Sequence, residues 1–292
     1  MRLVALIALS LGGCGFRVAA GTGDAGGFDA TVDSSDGPLP DSDQPDAALP
    51  WGTPALVGFL GDDPTATGDL LELIFNSSND LWVVTRTNVS DSWGTPALIT
   101  QLSTSFDETT PEITFDGLTM TFSSNRPGGQ GGHDLWMSTR VSRNAAWQTP
   151  VVLADLSSTT GDSAATLSED ALMVAMVRTL GGNDLYIATR LTAALVFGPP
   201  QPLAELNTSG HEGSTMLSGD KLMLCFDSLR SGNGDIYCAT RATPTSTFDT
   251  PMLMPFSDPA ALDADVWLSP DKRVALWSST RSGSFQIWQA TR

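Results

Sequence analysis

The stretch SSNRPGGQGGHDLWMSTR, residues 123–140, joins an apolar run to a glycine-rich loop, resumes with Asp-Leu-Trp and closes on Thr-Arg. Its tail returns as DLWVVTR (80–86), DLYIATR (184–190), DIYCATR (235–241) and QIWQATR (286–292). The closing arginines, Arg86, Arg140, Arg190, Arg241 and Arg292, are separated by 54, 50, 51 and 51 residues. Self-similarity at this period belongs to propeller blades, whereas ankyrin and leucine-rich solenoids repeat at shorter intervals. The chain is a repeat protein.

Laid over one another, the repeats predict four strands each. An inner strand A ends in a turn: TPEITFDG at 110–117, then ATLSED, STMLSGD and VWLSPD in later repeats, with Asp or Gly supplying the turn chemistry. Strand B is a near-continuous apolar run (LTMTF, LMVAM, LMLCF, RVALW), as suits a strand buried on both faces between neighbouring sheets. Strand C is the DLW phrase. Strand D opens on an aromatic and usually a proline, as in WGTPALITQL (93–102), WQTPVVLADL, FGPPQPLAEL and FDTPMLMPF, and the proline fits an edge strand. No segment sustains a 3.6-residue period, so helices are expected to be few.

The first fifty residues are of another kind. MRLVALIALSLGGC carries Arg2, an apolar run from Leu3 to Leu11 and small residues before Cys14, too short for a membrane span. It reads as an export signal, and LGGC resembles the bacterial lipobox, in which the cysteine is lipidated. The resemblance implies a signal peptide at 1–13 and lipidation of Cys14; Gly15 after the cysteine favours the outer membrane by the same analogy. The bland alternative is an ordinary cleaved signal with an incidental cysteine. Residues 15–50 hold seven Asp, no Glu and no Lys among many Gly, Ser, Pro and Ala. Such a composition buries too little apolar surface to offset chain entropy, so 14–50 reads as a disordered tether reaching roughly tens of Å. It lacks the spacing of a calcium loop.

Residues 51–292 suffice for one large all-β domain. With a formal charge of −18 and two lysines in the chain, Lys221 and Lys272, binding to a phosphate backbone and polybasic attraction to anionic lipid are both disfavoured. Nucleic acid is not an expected partner, and contact with a membrane is expected only through the lipid anchor.

In sequence order the repeat offers SxDG, an apolar strand, SxR, glycines and D-[LI]-[WY]. This resembles the WD-like repeat in the periplasmic propeller of the Tol system and in other bacterial envelope proteins. The resemblance spans 51–292; it is looser in repeat 1, which lacks SxR, and in repeat 5, where Gln286 replaces the Asp. It implies a β-propeller and an envelope location, and no single activity. The phase of the repeats then predicts closure. A D-type strand, WGTPALVGFL (51–60), precedes any A, B or C strand, and the last repeat ends after its C strand. Joining the two halves gives an all-β, five-bladed propeller closed by an N-terminal strand.

Recurrent residues are expected to be scaffold. Asp134 with Arg126, Trp136 and Arg140 recurs as Asp184 with Arg178, Tyr186 and Arg190, and as Asp235 with Arg230, Tyr237 and Arg241. These Asp and Arg residues are assigned to hydrogen-bonded pairs between strands. Eight residues before the turn Asp, four repeats carry an acid, Glu108, Asp162, Glu212 and Asp263, and repeat 1 offers Asp62 or Asp63 nearby. Strand A lines the channel, so these acids are expected at one channel mouth, with His133 and His211 in loops of the same face. Two readings stand. The acids form a funnel for a cation, a sugar or a basic peptide, calcium being the one cofactor such a ring suits. Alternatively, each acid caps a loop or pairs with an SxR arginine.

Catalytic motifs are absent: there is no GxSxG, HExxH or CxxC. The expectation is a non-enzymatic envelope scaffold binding a protein, a peptide or a glycan. The alternative is a carbohydrate-active propeller, a glycosidase with two carboxylates across the funnel or a lectin with exposed aromatics. Cys225 and Cys238 fall in strands B and C of one repeat, and a register pairing 225 with 238 sets them opposite each other. A disulfide of an exported protein and two buried thiols are the open alternatives.

Overall fold

The computed structural model describes residues 49–292. The signal peptide, Cys14 and nearly all of the tether lie outside the described residues. Twenty strands form five four-stranded antiparallel sheets, with no helix among the described residues. Blade 1 is β2 (Asp62–Ala66), β3 (Glu72–Ser77), β4 (Asp80–Thr85) and β5 (Ala97–Leu98). Blade 2 is β6 (Glu108–Ile113), β7 (Thr119–Ser124), β8 (Asp134–Thr139) and β9 (Val151–Val152). Blade 3 is β10 (Gly161–Leu167), β11 (Met173–Thr179), β12 (Asn183–Thr189) and β13 (Gln201–Pro202). Blade 4 is β14 (Glu212–Leu217), β15 (Met223–Ser228), β16 (Asp235–Thr240) and β17 (Met252–Leu253). Blade 5 is β18 (Asp263–Leu268), β19 (Val274–Ser279) and β20 (Gln286–Thr291), completed by β1 (Ala55–Leu60).

The closing strand repeats the chemistry of every other outer strand. In blades 1 to 4 the Thr-Arg arginine stacks on the aromatic that opens strand D: Arg86 on Trp93 at 4.1 Å, and Arg140 on Trp147, Arg190 on Phe197 and Arg241 on Phe248 at 4.3 Å. In blade 5 Arg292 stacks on Trp51 at 4.8 Å, and Gly52 N–H donates to the Thr291 carbonyl at 2.7 Å, matching Gly94 to Thr85 at 2.9 Å in blade 1. The apolar residues that hold β1 are Trp51, Val57 and Phe59, packed against the core, with Phe59 stacked on Phe75 at 5.6 Å. Leu56 and Leu60 point outward on the face opposite Val57 and Phe59, as strand alternation requires, and the register with β20 shifts between them.

Outer strands β5, β9, β13 and β17 pair over two residues each, shorter than the nine- or ten-residue D segments. Pro96, Pro150, Pro200 and Pro251 stand just before the paired residues and lack the N–H that a ladder needs. Between blades, one position of strand B carries the filling residue every time: Phe75, Phe122, Met176, Phe226 and Trp277, all fully buried. Each such side chain contributes about 2–3 kcal/mol of burial. Cys225 faces Cys238 across β15 and β16, and the two form a disulfide in the core between blades 4 and 5.

Candidate functional site

The innermost strand of each blade is bulged, with one residue forced into the left-handed region at the bulge: Asp63, Thr110, Ala164, Ser214 and Asp265. Beta-branched and bulky residues resist that conformation, and a bulge re-aims the side chains beside it. Here it divides the inner-strand acids into two rows with different surroundings.

The first row lies two residues before the bulge: Glu108, Asp162, Glu212 and Asp263, all buried. Each meets an arginine of its own blade: Arg126 to Glu108 at 2.9 Å, Arg178 to Asp162 at 2.7 Å, Arg230 to Glu212 at 3.5 Å and Arg281 to Asp263 at 3.0 Å. Each also accepts a loop N–H, from Thr104 at 2.7 Å, Ser158 at 2.6 Å, Thr208 at 2.9 Å and Asp258 at 2.5 Å. The same arginines donate to the carbonyls of Leu102, Leu156, Leu206 and Phe256. This is the loop-capping and arginine-pairing arrangement; the carboxylates face protein rather than an open mouth. In blade 1 the matching position is Gly61, where a Cβ would fall 2.5 Å from the Asn76 carbonyl and 2.7 Å from the Phe75 ring.

The pairing of Asp134 with Arg126 requires correction. Asp134 Oδ2 instead accepts the N–H groups of Gln130 and Gly131 at 2.9 and 3.2 Å, tying down its own glycine loop, and Arg126 goes to Glu108. Asp235 accepts from Ser231 Oγ in the same way. The Thr-Arg arginines likewise serve turns rather than these Asp residues. Their Nε donates to the carbonyls of Leu70, Gly117, Ala171, Lys221 and Lys272, at 2.6–2.8 Å.

The second row lines the channel and differs from blade to blade. Asp62 and Asp63 come from β2, Glu112 from β6, Asp227 from β15 and Asp265 from β18. Backbone and side chains link them around the axis. Asp63 N–H reaches Asp265 Oδ2 at 3.4 Å, Thr110 N–H reaches Asp63 Oδ2 at 3.1 Å, Ala164 N–H reaches Thr110 Oγ1 at 3.1 Å, and Ser214 Oγ donates to Asp265 Oδ1. Gly213 makes room for Asp227, since a Cβ there would lie 2.5 Å from its Oδ2. Among the described residues none of these five acids pairs with a lysine or arginine. His211 Nε2 lies 3.8 Å from Asp227 Oδ2, and His133 Nε2 lies 3.8 Å from Asp107 Oδ2, which places both histidines on the mouth nearest the bulges.

Asp62, Asp63, Glu112 and Asp265 keep some surface toward the channel, yet strands ring them on every side, so their carboxylates are poorly hydrated. Burial and the charge of Asp265 raise the Asp62 carboxyl to about 6, against the opposing hydrogen bond from Asn76. Burial and Asp265 raise Asp227 to about 8. Asp63 is held well above the ordinary range by burial, Asp265 and Asp62, and Glu112 by burial and then Asp265. Toward the far end Phe115 packs edge-on against Trp267 at 6.1 Å beside Met216, around a mainly apolar cavity of about 20 Å³ that Glu112 and Glu169 also border. That is room for about one water. The upper mouth opens instead into a recess of about 320 Å³ bordered by Thr109, Thr110, Ser123, His133, Ser163 and Thr179. Among the described residues no group of three or more His, Cys, Asp or Glu is arranged to hold a metal ion.

Comparison with known proteins places this geometry on a widely used fold. No family model matches the chain, and no curated protein does. Solved structures do. A putative TolB from Agrobacterium tumefaciens superposes with a TM-score of 0.50 at 16% identity, over 75% of this chain and 70% of that one. An endo-arabinase from Bacteroides thetaiotaomicron VPI-5482 gives 0.60 at 14% identity, over 83% of this chain and 97% of its own. The catalytic domain of a GH62 α-L-arabinofuranosidase from Coprinopsis cinerea gives 0.53 at 12%, over 87% and 93%. At such identities the likeness is one of fold.

Asp63, Asp227, Asp265 and Glu112 were not singled out by the repeat pattern as a group. Position-specific disagreement finds two of them: two residues after the capping acid the blades read Thr, Ala, Ser and Asp265, and the matching residue of blade 1 is Asp63, whereas Glu112 and Asp227 lie at other positions.

Proposed function

We propose that the chain is an exported lipoprotein of the cell envelope, anchored through Cys14 at the outer membrane. The segment 14–50 holds its propeller off the lipid, and the upper mouth of the channel binds another protein or a peptide. The observation that carries the reading is the contrast between the acid rows. The recurrent capping acids of blades 2 to 5 are each paired with an arginine of the same blade, while the acids without a cationic partner, from blades 1, 2, 4 and 5, gather at the channel. The envelope location is supported by the LGGC run and by the Tol-type repeat.

Capture from envelope extracts with the full chain tests it, using Asp63→Asn/Asp265→Asn as the comparison. A partner held by the parent and lost by the double variant is the expected result. Identical capture by both removes the channel mouth as the contact. Cys14→Ala is expected to move the protein from the membrane to the soluble fraction, since a lipid chain is the proposed anchor.

A second reading is favoured by one observation: an acid held near pH 6, Asp62, stands beside a second carboxylate, Asp265. Glycosidases need a protonated acid and an ionised partner. Two of the similar folds carry the names endo-arabinase and arabinofuranosidase. Release of arabinose from arabinan, abolished by Asp62→Asn, would favour the carbohydrate-active propeller over the scaffold.

A further inference from the structure

The upper acids of the channel are acceptors short of donors. Asp63 and Asp265 meet at the seam of blades 1 and 5, Asp62 precedes Asp63 on β2, and Asp227 projects over Gly213. A second observation does not depend on the acids. Asn76, opposite Asp62 on β3 and 6% exposed, donates through Nδ2 to Asp62 Oδ1 at 2.7 Å, while its own Oδ1 has no partner. At the matching position Ser123 donates to the Asp162 carbonyl at 2.9 Å, and Ser278 accepts from Asp63 N–H at 3.1 Å. A buried amide oxygen left without a donor is costly, and it marks a place where a donor is missing.

We propose that the upper channel takes a primary ammonium group, a lysine side chain or an amino terminus of the partner polypeptide, in exchange for a proton held among the acids. The inference rests on the scaffold reading and names the chemistry its partner presents. An ammonium brings three N–H donors, one positive charge and no acceptor. The site offers the complement: the carboxylates of Asp62, Asp63 and Asp265, and Asn76 Oδ1. The recess of about 320 Å³ at the same mouth leads to Thr110, whose N–H is bound to Asp63, and its hydroxyls suit the backbone of an entering peptide. A net charge of −18 draws a cation toward it.

The exchange conserves charge. Facing the site are Asp62 and Asp63 from β2, Glu112 from β6, Asp227 with His211 from blade 4, and Asp265 from β18, while β10 presents Ser163 and Ala164, which do not titrate. With Asp62 raised to about 6 and Asp227 to about 8, part of the cluster holds protons at neutral pH. An arriving cation favours the ionised carboxylates, so one proton leaves for each ammonium that enters.

Calorimetry on the full chain tests the proposal, with acetyl-Gly-Lys-Gly-amide as probe and acetyl-Gly-norleucine-Gly-amide as its uncharged counterpart. Titration in two buffers of different ionisation enthalpy counts the protons released. The lysine peptide is expected to bind and the norleucine peptide not. Affinity should rise about tenfold per pH unit while one raised carboxyl remains protonated, and then level off. Asp265→Asn and, separately, Asp62→Asn, each checked for a parent-like melt, should weaken binding at least about tenfold, the scale of one lost charge-assisted bond. Equal binding of both peptides, affinity indifferent to pH, or full affinity in both folded variants overturns the ammonium. Calcium binding without peptide binding overturns it as well. Failure of the peptide with envelope capture intact leaves the scaffold reading standing; failure of both removes the two together.

Discussion

Two rows of carboxylates stand close together around the channel, and they meet opposite surroundings. Glu108, Asp162, Glu212 and Asp263 each hold an arginine and a loop N–H, so a buried charge is matched on both sides. Asp63 and Asp265, at the bulges of their inner strands, meet each other and Asp62 instead. The first row repeats in blades 2 to 5, each of which is held together in the same way. The second does not repeat, and a feature that fivefold construction does not demand is where a function can reside.

The largest effect expected concerns the closing strand, the part of the repeated framework supplied from the other end of the sequence. Deleting residues 51–60 removes the burial of Trp51, Val57 and Phe59 and bares the edge of β20. A loss of several kcal/mol in chemical denaturation is expected, about 2 for each large side chain. A deletion variant as stable as the parent would mean that blade 5 closes without β1.

Next in size is a direct contrast of the rows. Arg281→Ala strands Asp263 as a buried unpaired charge, and breaking such a pair costs about 3–5 kcal/mol. Asp265→Asn removes a charge that lacks a cationic partner, so the melt should stay level or rise. Equal losses from the two would erase the distinction.

Blade architecture, blade number and closure were legible in the sequence because they depend on local, recurring signals: the DLW phrase, the SxR loop and the orphan D strand at 51–60. The role of the capping acids was legible only as one of two readings, since spacing places Glu108 beside a mouth without saying whether Arg126 reaches it. Of the channel acids, Asp62 and Asp63 were legible as mouth candidates, and the grouping with Glu112, Asp227 and Asp265 escaped for a physical reason. The bulge rotates Asp63 and Asp265 inward and Gly213 lets Asp227 over the top, and neither a register shift nor a close approach is written in strand periodicity. Asp227 in particular sits on strand B, which reads as core.

A smaller and opposite effect distinguishes the channel by pH. A carboxyl raised on folding contributes stability that is full below its unfolded value and is lost as pH climbs through the folded value. For Asp62 and Asp227 that window runs from the ordinary value of 3.8 up to about 6 and about 8. Asp69, Asp170, Asp220 and Asp271 are lowered by hydrogen bonds from their turns, joined in each by the charge of a nearby Arg or Lys, so their contribution is lost as pH falls below the ordinary range. The melting temperature should therefore decline from weakly acidic to mildly alkaline pH, and Asp227→Asn should flatten the decline. A melting temperature that rises steadily across that window would contradict the uncompensated channel.

Carboxyl-carbon NMR titration of the Asp and Glu side chains, assigned through Asp62→Asn and Asp227→Asn, tests the contrast between the rows most directly. Asp62 is expected to change protonation near pH 6 and Asp227 near pH 8. Both carboxyls ionising in the ordinary range near 3.8 would show that the channel acids are as well compensated as the capping row, and would contradict it.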